Sequence, residues 1–275
     1  MLEITILADN RVASPYPRGL RGEWGFSVAI GDVLLDTGQS AAVHNAKLLG
    51  VPIEKFDSVV LSHSHFDHTS GLLDVLNVMD QPSLYCHPNV WDHRYLDRNG
   101  QFDGAPLGIP YTKPTVEAKS EIVEHRDPIE IVDGVHALGE IPRTHQDYTI
   151  GKVKREEGAV KDQIVDDQSV VVETSEGLAL VLGCCHAGLR NTVEHAESVC
   201  SGDVRYIIGG THLIAADTEE IHAISDWLGE KLDRLVGAHC TGTTAMGVLN
   251  ERLPEVFESA GVGSTIRLEG DEVLS

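Results

Sequence analysis

The apolar positions in the first part of this chain follow the two-residue period of β-strands and then the longer period of an α-helix. Four runs have strand character, and they cover residues 3–8, 25–30, 33–36 and 56–62. The turn pair Gly31-Asp32 joins the second and third runs into a predicted hairpin. After the fourth run, Leu72, Leu76 and Met79 mark one face of a predicted helix. The pattern therefore predicts a hairpin followed by a βα unit.

The rest of the chain continues this alternation after one interruption. Residues 89–120 carry Gly, Pro and aromatic residues without either period, so we expect an irregular, lid-like insertion over the surface. Asp217 and Glu220 match the spacing of a capping box, which is a helix start signal. The further predicted strands cover 121–123, 129–138, 169–173, 178–182, 204–208 and 232–237, and the helices cover 189–199 and 217–228.

Two β-rich halves that each end in helices predict an α/β protein. The expected architecture is a four-layer αββα sandwich, in which two mixed β-sheets face each other and helices cover the outside. A length of 275 residues lies near the upper limit for one hydrophobic core, and no long linker interrupts the pattern. We therefore expect residues 1–275 to form a single domain.

The charge of the chain limits the partners that it can bind. Asp and Glu number 43 against 21 Lys and Arg, which gives a formal net charge of −22. Such a surface repels nucleic acid and anionic membranes, so a small molecule is the expected partner, and the oligomeric state stays open. Because the acidic residues are spread along the chain, we hypothesise a salt-adapted, halophilic host.

The location of the protein follows from its N-terminus, its hydropathy and its cysteines. The first ten residues lack the basic and apolar regions of a signal peptide. No apolar run approaches the roughly 20 residues that a membrane span needs. The five cysteines are an odd number and too few for a disulfide scaffold. We expect a cytoplasmic protein with reduced thiols.

The segment LSHSHFDHTSG carries the most informative chemistry, because it follows a predicted strand and precedes a predicted helix. His63 and His65 point to the same side of an extended chain, so their imidazoles can share one metal ion. Asp67 and His68 come one turn later, at the start of the helix, and can face a second ion. The segment therefore predicts part of a dinuclear metal site.

Histidines also follow three later apolar runs, each beside glycines that allow close backbone approach. Because sites in open α/β sheets form at the carboxyl ends of strands, His186 and His239 are candidate metal ligands, and His212 is a candidate ligand or catalytic group. Cys184 is either a thiolate ligand or a small buried residue. Asp36, which ends VLLDTG, is expected to hold a ligand imidazole by its second nitrogen.

These residues resemble the metallo-β-lactamase superfamily over nearly the whole chain. The resemblance rests on H-x-H-x-D-H at 63–68, on the preceding LLDTG and on later histidines in the expected order. The chain is also similar to the subfamily labelled dihydropterin ribofuranosyl-aminobenzene phosphate synthase. The motifs that carry this similarity are ADN, GEIPR at 139–143, DDQS at 166–169, GCCHAG, GGTHL and GAHCTG. The resemblance implies two ligand sets, namely His63, His65 and His186 for one metal and Asp67, His68 and His239 for the other.

One departure from the superfamily pattern concerns the bridge between the metals. Many members place a bridging Asp two residues after a glycine-rich strand end, whereas this chain reads Gly183-Cys184-Cys185-His186. Either a thiolate replaces the carboxylate or the bridge is only water. The predicted cofactors are two divalent ions, Zn²⁺ first, although these ligands would also accept Mn²⁺ or Fe²⁺.

The predicted chemistry is hydrolysis. A pair of such ions makes hydroxide from bound water at neutral pH, and Asp67 is placed to orient it and take its proton. We therefore expect a metal-dependent hydrolase that acts on an ester, a lactone or a phosphoester. An anionic substrate needs local cations to offset the negative surface, and Arg143 and Arg190 are candidates, the latter at a helix start.

Two other functions stay open. The subfamily label implies a transferase, in which the metals bind the diphosphate of a pterin donor and an aromatic amine displaces it. Aromatic residues make up only 5% of the chain, which disfavours a stacking pocket for a pterin. The third alternative is a non-catalytic metal or ligand-binding protein. The retained Asp67 and a full ligand set argue against it, because a structural zinc needs only four ligands.

Overall fold

Strands and helices alternate along the part of the chain that the computed structural model describes, residues 2–98 and 101–268. The strands are β1 (Leu2–Ala8), β2 (Ser27–Ile30), β3 (Val33–Leu35), β4 (Ser58–Val60), β5 (Ser83–Cys86), β6 (Arg94–Arg98), β7 (Gln101–Pro106), β8 (Glu121–Glu124), β9 (Ile129–Val132), β10 (Val135–Ala137), β11 (Lys152–Arg155), β12 (Gly158–Lys161), β13 (Ser169–Thr174), β14 (Gly177–Leu182), β15 (Val204–Gly210), β16 (Arg234–Ala238), β17 (Phe257–Ser259) and β18 (Thr265–Leu268). The α-helices are α1 (Ala42–Leu49), α2 (Phe66–Thr69), α3 (Leu72–Val78), α4 (Lys113–Glu117), α5 (Leu189–Val199), α6 (Thr218–Lys231) and α7 (Thr243–Arg252).

Two seven-stranded sheets have the same plan. The first has the order β18-β1-β2-β3-β4-β5-β8, and the second has the order β17-β16-β15-β14-β13-β10-β9. In each sheet one half is antiparallel, while the other is parallel and holds β3–β4–β5–β8 or β14–β15–β16–β17. Both sheets are therefore mixed, as predicted.

Three buried apolar clusters separate the layers. The central cluster joins side chains from both sheets, such as Ile6 and Val28 with Val170 and Val181. A second cluster packs α5, α6 and α7 on the outer face of the second sheet, and a third packs α1 and α3 on the first sheet. Three apolar interfaces make four layers, so the predicted αββα sandwich is confirmed.

Several element predictions agree with the structure because their signals are local. Helix α5 has the predicted bounds, and the Asp217 side chain accepts a hydrogen bond from the Glu220 backbone N–H, as a helix cap should. The run at 129–138 is two strands instead of one, because the chain turns at Gly134, which has a φ of 70°.

The prediction of irregular structure for residues 89–120 was wrong. That segment contains β6, β7 and α4, and β6 and β7 pair antiparallel. Together with β11 and β12 they form a four-stranded sheet of order β12-β11-β6-β7. The hairpin meets the histidine-rich loop, because the Phe66 N–H donates to the Leu107 carbonyl at 2.8 Å. A role as a lid stays a prediction.

The helices of the described ranges are too short or too polar to cross a lipid bilayer.

Candidate metal centre

The site lies where the parallel strands of the two sheets end. His63 and His65 follow β4, and Asp67 and His68 belong to the short helix α2. The later ligand candidates occupy the ends of neighbouring strands, with His186 after β14, His212 after β15 and His239 after β16. Parallel strands deliver their carboxyl ends to one edge, so residues that are far apart in sequence meet there.

The first set of candidate ligands consists of His63, His65 and His186. Their ring centroids are 4.5 to 4.9 Å apart, and the ligand atoms of all three lie within 4.8 Å of one another. The three Nε2 atoms are buried and have no hydrogen-bond partner. A buried polar atom without a partner is costly, so three such atoms in one place fit a bound cation. The residues present therefore fit a divalent metal ion.

The second set consists of Asp67, His68 and His239, whose ligand atoms also lie within 4.8 Å of one another. The Nε2 atoms of His68 and His239 are 3.2 Å apart, and the His239 Nε2 is 3.5 Å from a carboxylate oxygen of Asp67. The rings of His63 and His68 are 4.3 Å apart, which places the two sets side by side. The donors of the second set, two imidazoles and a carboxylate, suit Zn²⁺ or a similar ion.

Asp36 contacts a candidate ligand of the second set directly and a candidate ligand of the first set through Ser62. Its carboxylate accepts from His68 Nδ1 at 2.7 Å, from the Ser62 hydroxyl at 2.6 Å and from the Ser62 N–H at 2.7 Å. The Ser62 hydroxyl also lies 2.9 Å from His63 Nδ1. Gly183 is required beside this group, since a Cβ there would lie 2.2 Å from the Ser62 hydroxyl oxygen.

Hydrogen bonds from neighbouring residues orient the imidazoles of His186 and His239. His186 Nδ1 donates to the Tyr148 carbonyl at 2.7 Å, which leaves its Nε2 facing the other ligands. His239 Nδ1 lies 3.0 Å from the Asn10 side-chain oxygen, and the His239 N–H donates to Asp9 at 2.7 Å. Supporting groups of this kind fix the tautomer and direction of a metal-binding histidine.

Burial and neighbouring charges set the protonation of both sets. Burial lowers the pKa values of His63 and His186 well below the usual value and that of His65 to about 3, so the three rings are uncharged at neutral pH and each can offer a nitrogen lone pair. Burial also opposes the charge on His68, but Asp36 and Asp67 outweigh it and raise its pKa to about 9. For Asp67, burial is outweighed by His68 and His239, which hold its pKa below the usual range.

A thiol cluster adjoins the two histidine sets. Cys184 Sγ lies 3.3 Å from His212 Nδ1 and 3.1 Å from Cys240 Sγ, and both cysteines are buried. The His212 ring is 4.1 Å from that of His186. The structure therefore brings Cys184 and His212 to the candidate ligands, together with Cys240, which the sequence pattern did not single out.

The two candidate substrate-binding arginines make other contacts. Arg143 pairs with Asp147 at 3.0 Å and donates to the Ile164 carbonyl at 2.6 Å. The guanidinium carbon of Arg190 lies 4.6 Å from the ring centre of Trp227 on α6. Their role toward a substrate stays a prediction.

Arg94 and Trp24 contact the site although they carried no local sequence signal, whereas their partner Asp166 begins the DDQS motif. Arg94 bonds Asp162 and Asp166 at 2.6 and 2.7 Å, and Asp166 accepts from the backbone N–H of Ser64, between two ligand histidines. Trp24 is half-exposed and its ring lies 5.7 Å from that of His239. These contacts join distant parts of the chain, which explains why spacing alone did not reveal them.

Comparisons with known proteins indicate the family of the chain. The model of the β-lactamase superfamily domain matches residues 32–158. A 7,8-dihydropterin-6-methyl-4-(β-D-ribofuranosyl)-aminobenzene-5'-phosphate synthase from Methanocaldococcus jannaschii is 30% identical over 246 residues, which cover 86% of this chain and 84% of that protein.

Two solved structures extend the comparison to the fold. Tm1679, described as a metal-dependent hydrolase of the β-lactamase superfamily, is 25% identical with a TM-score of 0.86, and the match covers 98% of this chain and all of that one. Zn²⁺-bound PqqB from Methylobacterium extorquens is 13% identical with a TM-score of 0.56, over 97% of this chain and all of that one. The second likeness concerns the fold alone. With a relative at 30% identity over most of both chains and this fold, the chain belongs to the metallo-β-lactamase superfamily.

Proposed function

We propose that this protein is a metal-dependent hydrolase that cleaves an ester, a lactone or a phosphoester of a small molecule. The observation that carries the proposal is the pair of adjacent ligand sets, with three buried and unpartnered Nε2 atoms in the first and an ionised carboxylate in the second. Two divalent ions, Zn²⁺ first, would supply an activated water at neutral pH and stabilise negative charge on the substrate.

Asp67 is the proposed proton acceptor. Its carboxylate belongs to the first turn of α2, its side chain is about one-tenth exposed, and one oxygen lies 3.5 Å from His239 Nε2. Because His68 and His239 keep its pKa low, the carboxylate is ionised and can orient a water molecule through hydrogen bonding. In this proposal an Asp67 oxygen accepts the proton as the water attacks.

His212 is the proposed proton donor to the leaving group. Its ring packs against that of His186 and stays partly exposed, unlike the fully buried ring of His186. It also adjoins the ring of Tyr148 at 5.6 Å, which limits its movement. A partly exposed imidazole beside the ligand sets can reach a leaving oxygen that a buried ligand cannot.

The test compares the zinc-loaded protein with two histidine variants on a panel of phosphodiesters and lactones. His65→Ala should lose bound zinc and at least about 100-fold of kcat/KM, since it removes a ligand. His222→Ala is the matched control, because His222 is exposed on α6 and should change neither quantity. The proposal would be contradicted if the zinc-loaded protein turned over no member of the panel, or if the His65→Ala variant kept full activity.

A second function, the synthase reaction, is favoured by two observations. The Methanocaldococcus jannaschii relative carries the synthase name, and the half-exposed Trp24 beside His239 offers an aromatic face for a ring. In this alternative the metals hold the diphosphate of a pterin donor, and an aromatic amine displaces it. Release of diphosphate only when the pterin diphosphate and the amine are both present would support the synthase over the hydrolase. Loss of that release in Trp24→Ala would assign the ring-binding role to Trp24.

A further inference from the structure

The sulfur atom of Cys184 lies between the two ligand sets. It is within 4.8 Å of ligand atoms of both His63 and His68, which belong to different sets. It forms a second such group with His186 and His212, and a third with His239 and Cys240. The side chain is only 4% exposed. A soft donor atom is therefore held in the centre of the candidate metal site.

We propose that the Cys184 thiolate bridges the two metal ions, an inference that rests on the proposed function. The bridge completes the ligand count, because each histidine set alone offers three protein donors. With the shared sulfur, the first ion would have three imidazoles and one thiolate. The second ion would have two imidazoles, one carboxylate and the same thiolate. Four donors of these kinds satisfy the tetrahedral preference of zinc.

The neighbouring cysteines differ from Cys184 in what they contact. Cys185 belongs to the outer apolar cluster, with its Sγ 3.4 Å from the Thr192 hydroxyl on α5. Cys240 lies beside the site, 3.1 Å from Cys184 Sγ, and its Sγ is 3.4 Å from the Cys184 carbonyl. The geometry thus assigns the bridge to Cys184, with Cys240 as a positioning residue that orients its sulfur.

A sulfur bridge changes which metals the site accepts. Thiolates favour Zn²⁺ and Co²⁺ over Mn²⁺ and Mg²⁺, which prefer oxygen donors. The expected order of affinity is therefore Zn²⁺ above Co²⁺, with Mn²⁺ far weaker. In the Cys184→Asp variant a carboxylate replaces the thiolate, so the preference should shift toward Mn²⁺.

The test uses the metal-free full chain titrated with Co²⁺, read by absorbance and by elemental analysis. The unmodified protein should bind two cobalt ions and show the near-ultraviolet charge-transfer band of a thiolate bound to cobalt. Cys184→Ser should lose the band, and its cobalt affinity should fall by more than about 100-fold, since even supporting groups outside the ligand set are worth about 10–100-fold. Cys184→Asp should bind two ions without the band. Cys185→Ala and Cys240→Ser should both keep the band.

The outcomes separate this inference from the proposed function. Two cobalt ions with no thiolate band would overturn the bridge, while the hydrolase proposal would stand. A band that survives in Cys184→Ser but disappears in Cys240→Ser would overturn the assignment in favour of Cys240. A protein that binds no divalent ion at all would overturn the bridge and the proposed function together. Because Cys184→Asp preserves a ligand, it reports on the bridge even if Cys184→Ser does not fold.

Discussion

Replacement of Arg94 by methionine tests how the histidine-rich loop is held. The Arg94 side chain is buried, and its guanidinium group donates to Asp162 at 2.6 Å, to Asp166 at 2.7 Å and to the Ser64 hydroxyl at 2.6 Å. Asp166 also accepts from the Ser64 N–H at 2.9 Å. Ser64 stands between His63 and His65, so one buried cation fixes the backbone that carries two ligand candidates.

Methionine keeps an unbranched apolar side chain, although a shorter one, and leaves two buried carboxylates without their cation. Removing one partner of a buried ion pair costs about 3–5 kcal/mol. Burial already raises the pKa of Asp166, so proton uptake by this carboxyl limits the cost to that range. Urea unfolding of the metal-free protein at pH 7 should therefore show an unfolding free energy that is lower by about 3–5 kcal/mol. Zinc affinity, measured against a competing chelator, should fall by about 10–100-fold, because the ligands lose their support.

Arg155→Met is the matched control. Arg155 pairs with Asp92 at 2.9 Å, but its side chain is 43% exposed. An exposed pair contributes about 0–1 kcal/mol, so this variant should stay close to the unmodified protein in both assays. Equal losses in the Arg94 and Arg155 variants would refute the reasoning from burial. A large loss of stability in Arg94→Met with unchanged zinc affinity would refute the link to the metal loop.

Four further predictions follow from the same structure. Asp36→Asn should lower zinc affinity by about 10–100-fold with the fold retained, because the amide keeps the shape of the carboxylate but not its charge beside His68. Competition with a chelator measures the zinc affinity. Zinc at 100 times its Kd should raise the unfolding free energy by about 2.7 kcal/mol for each bound ion, and a chelator should reverse the rise in Tm; a zinc-insensitive Tm would contradict it. Below pH 6.5 the unfolding free energy of the metal-free protein should fall by about 1.4 kcal/mol per pH unit for each of His63, His65 and His186, because these rings bind protons in the unfolded chain but not in the folded one. The raised pKa of His68 has the opposite effect, because its contribution to stability is lost as the pH rises toward about 9. Urea unfolding across pH 4–9 checks both. The net charge of −22 predicts higher stability at molar salt than at about 0.1 M, and equal stability would contradict salt adaptation.

The sequence predicted the sandwich and the convergence of the main histidines because their signals are periodic or local. The two halves of the fold have separate runs of apolar residues, and each late histidine follows such a run directly. Strand ends meet at one edge in a parallel arrangement, so the pattern was enough to expect His63, His186 and His239 side by side. The helix cap at Asp217 could be predicted equally well, because the residue that it bonds, Glu220, is three residues away.

The parts that escaped prediction depend on pairing over long separations. Hairpin β6–β7 pairs with β11, which lies more than fifty residues later in the chain, and no period in the sequence of residues 89–120 indicated that pairing. The Arg94 network likewise joins β6 to Asp162 and Asp166. The central position of Cys184 depends on the placement of β14 against the opposite sheet. Sequence spacing around Cys184 left both a thiolate ligand and a small buried residue open, with the buried residue as the commoner case.

The folded chain holds this centre at an energetic cost that bound metal would offset. Asp36, Cys185, His212 and His239 all have positive φ, between 44° and 62°. A non-glycine residue in that region costs about 1–3 kcal/mol, and the unpartnered Nε2 atoms of the first set add desolvation. Cations at these donors would satisfy the Nε2 atoms and hold the strained strand ends in place. The unpartnered Nε2 atoms that weaken the metal-free fold are thus the ones that would bind metal, so stability and metal content should change together.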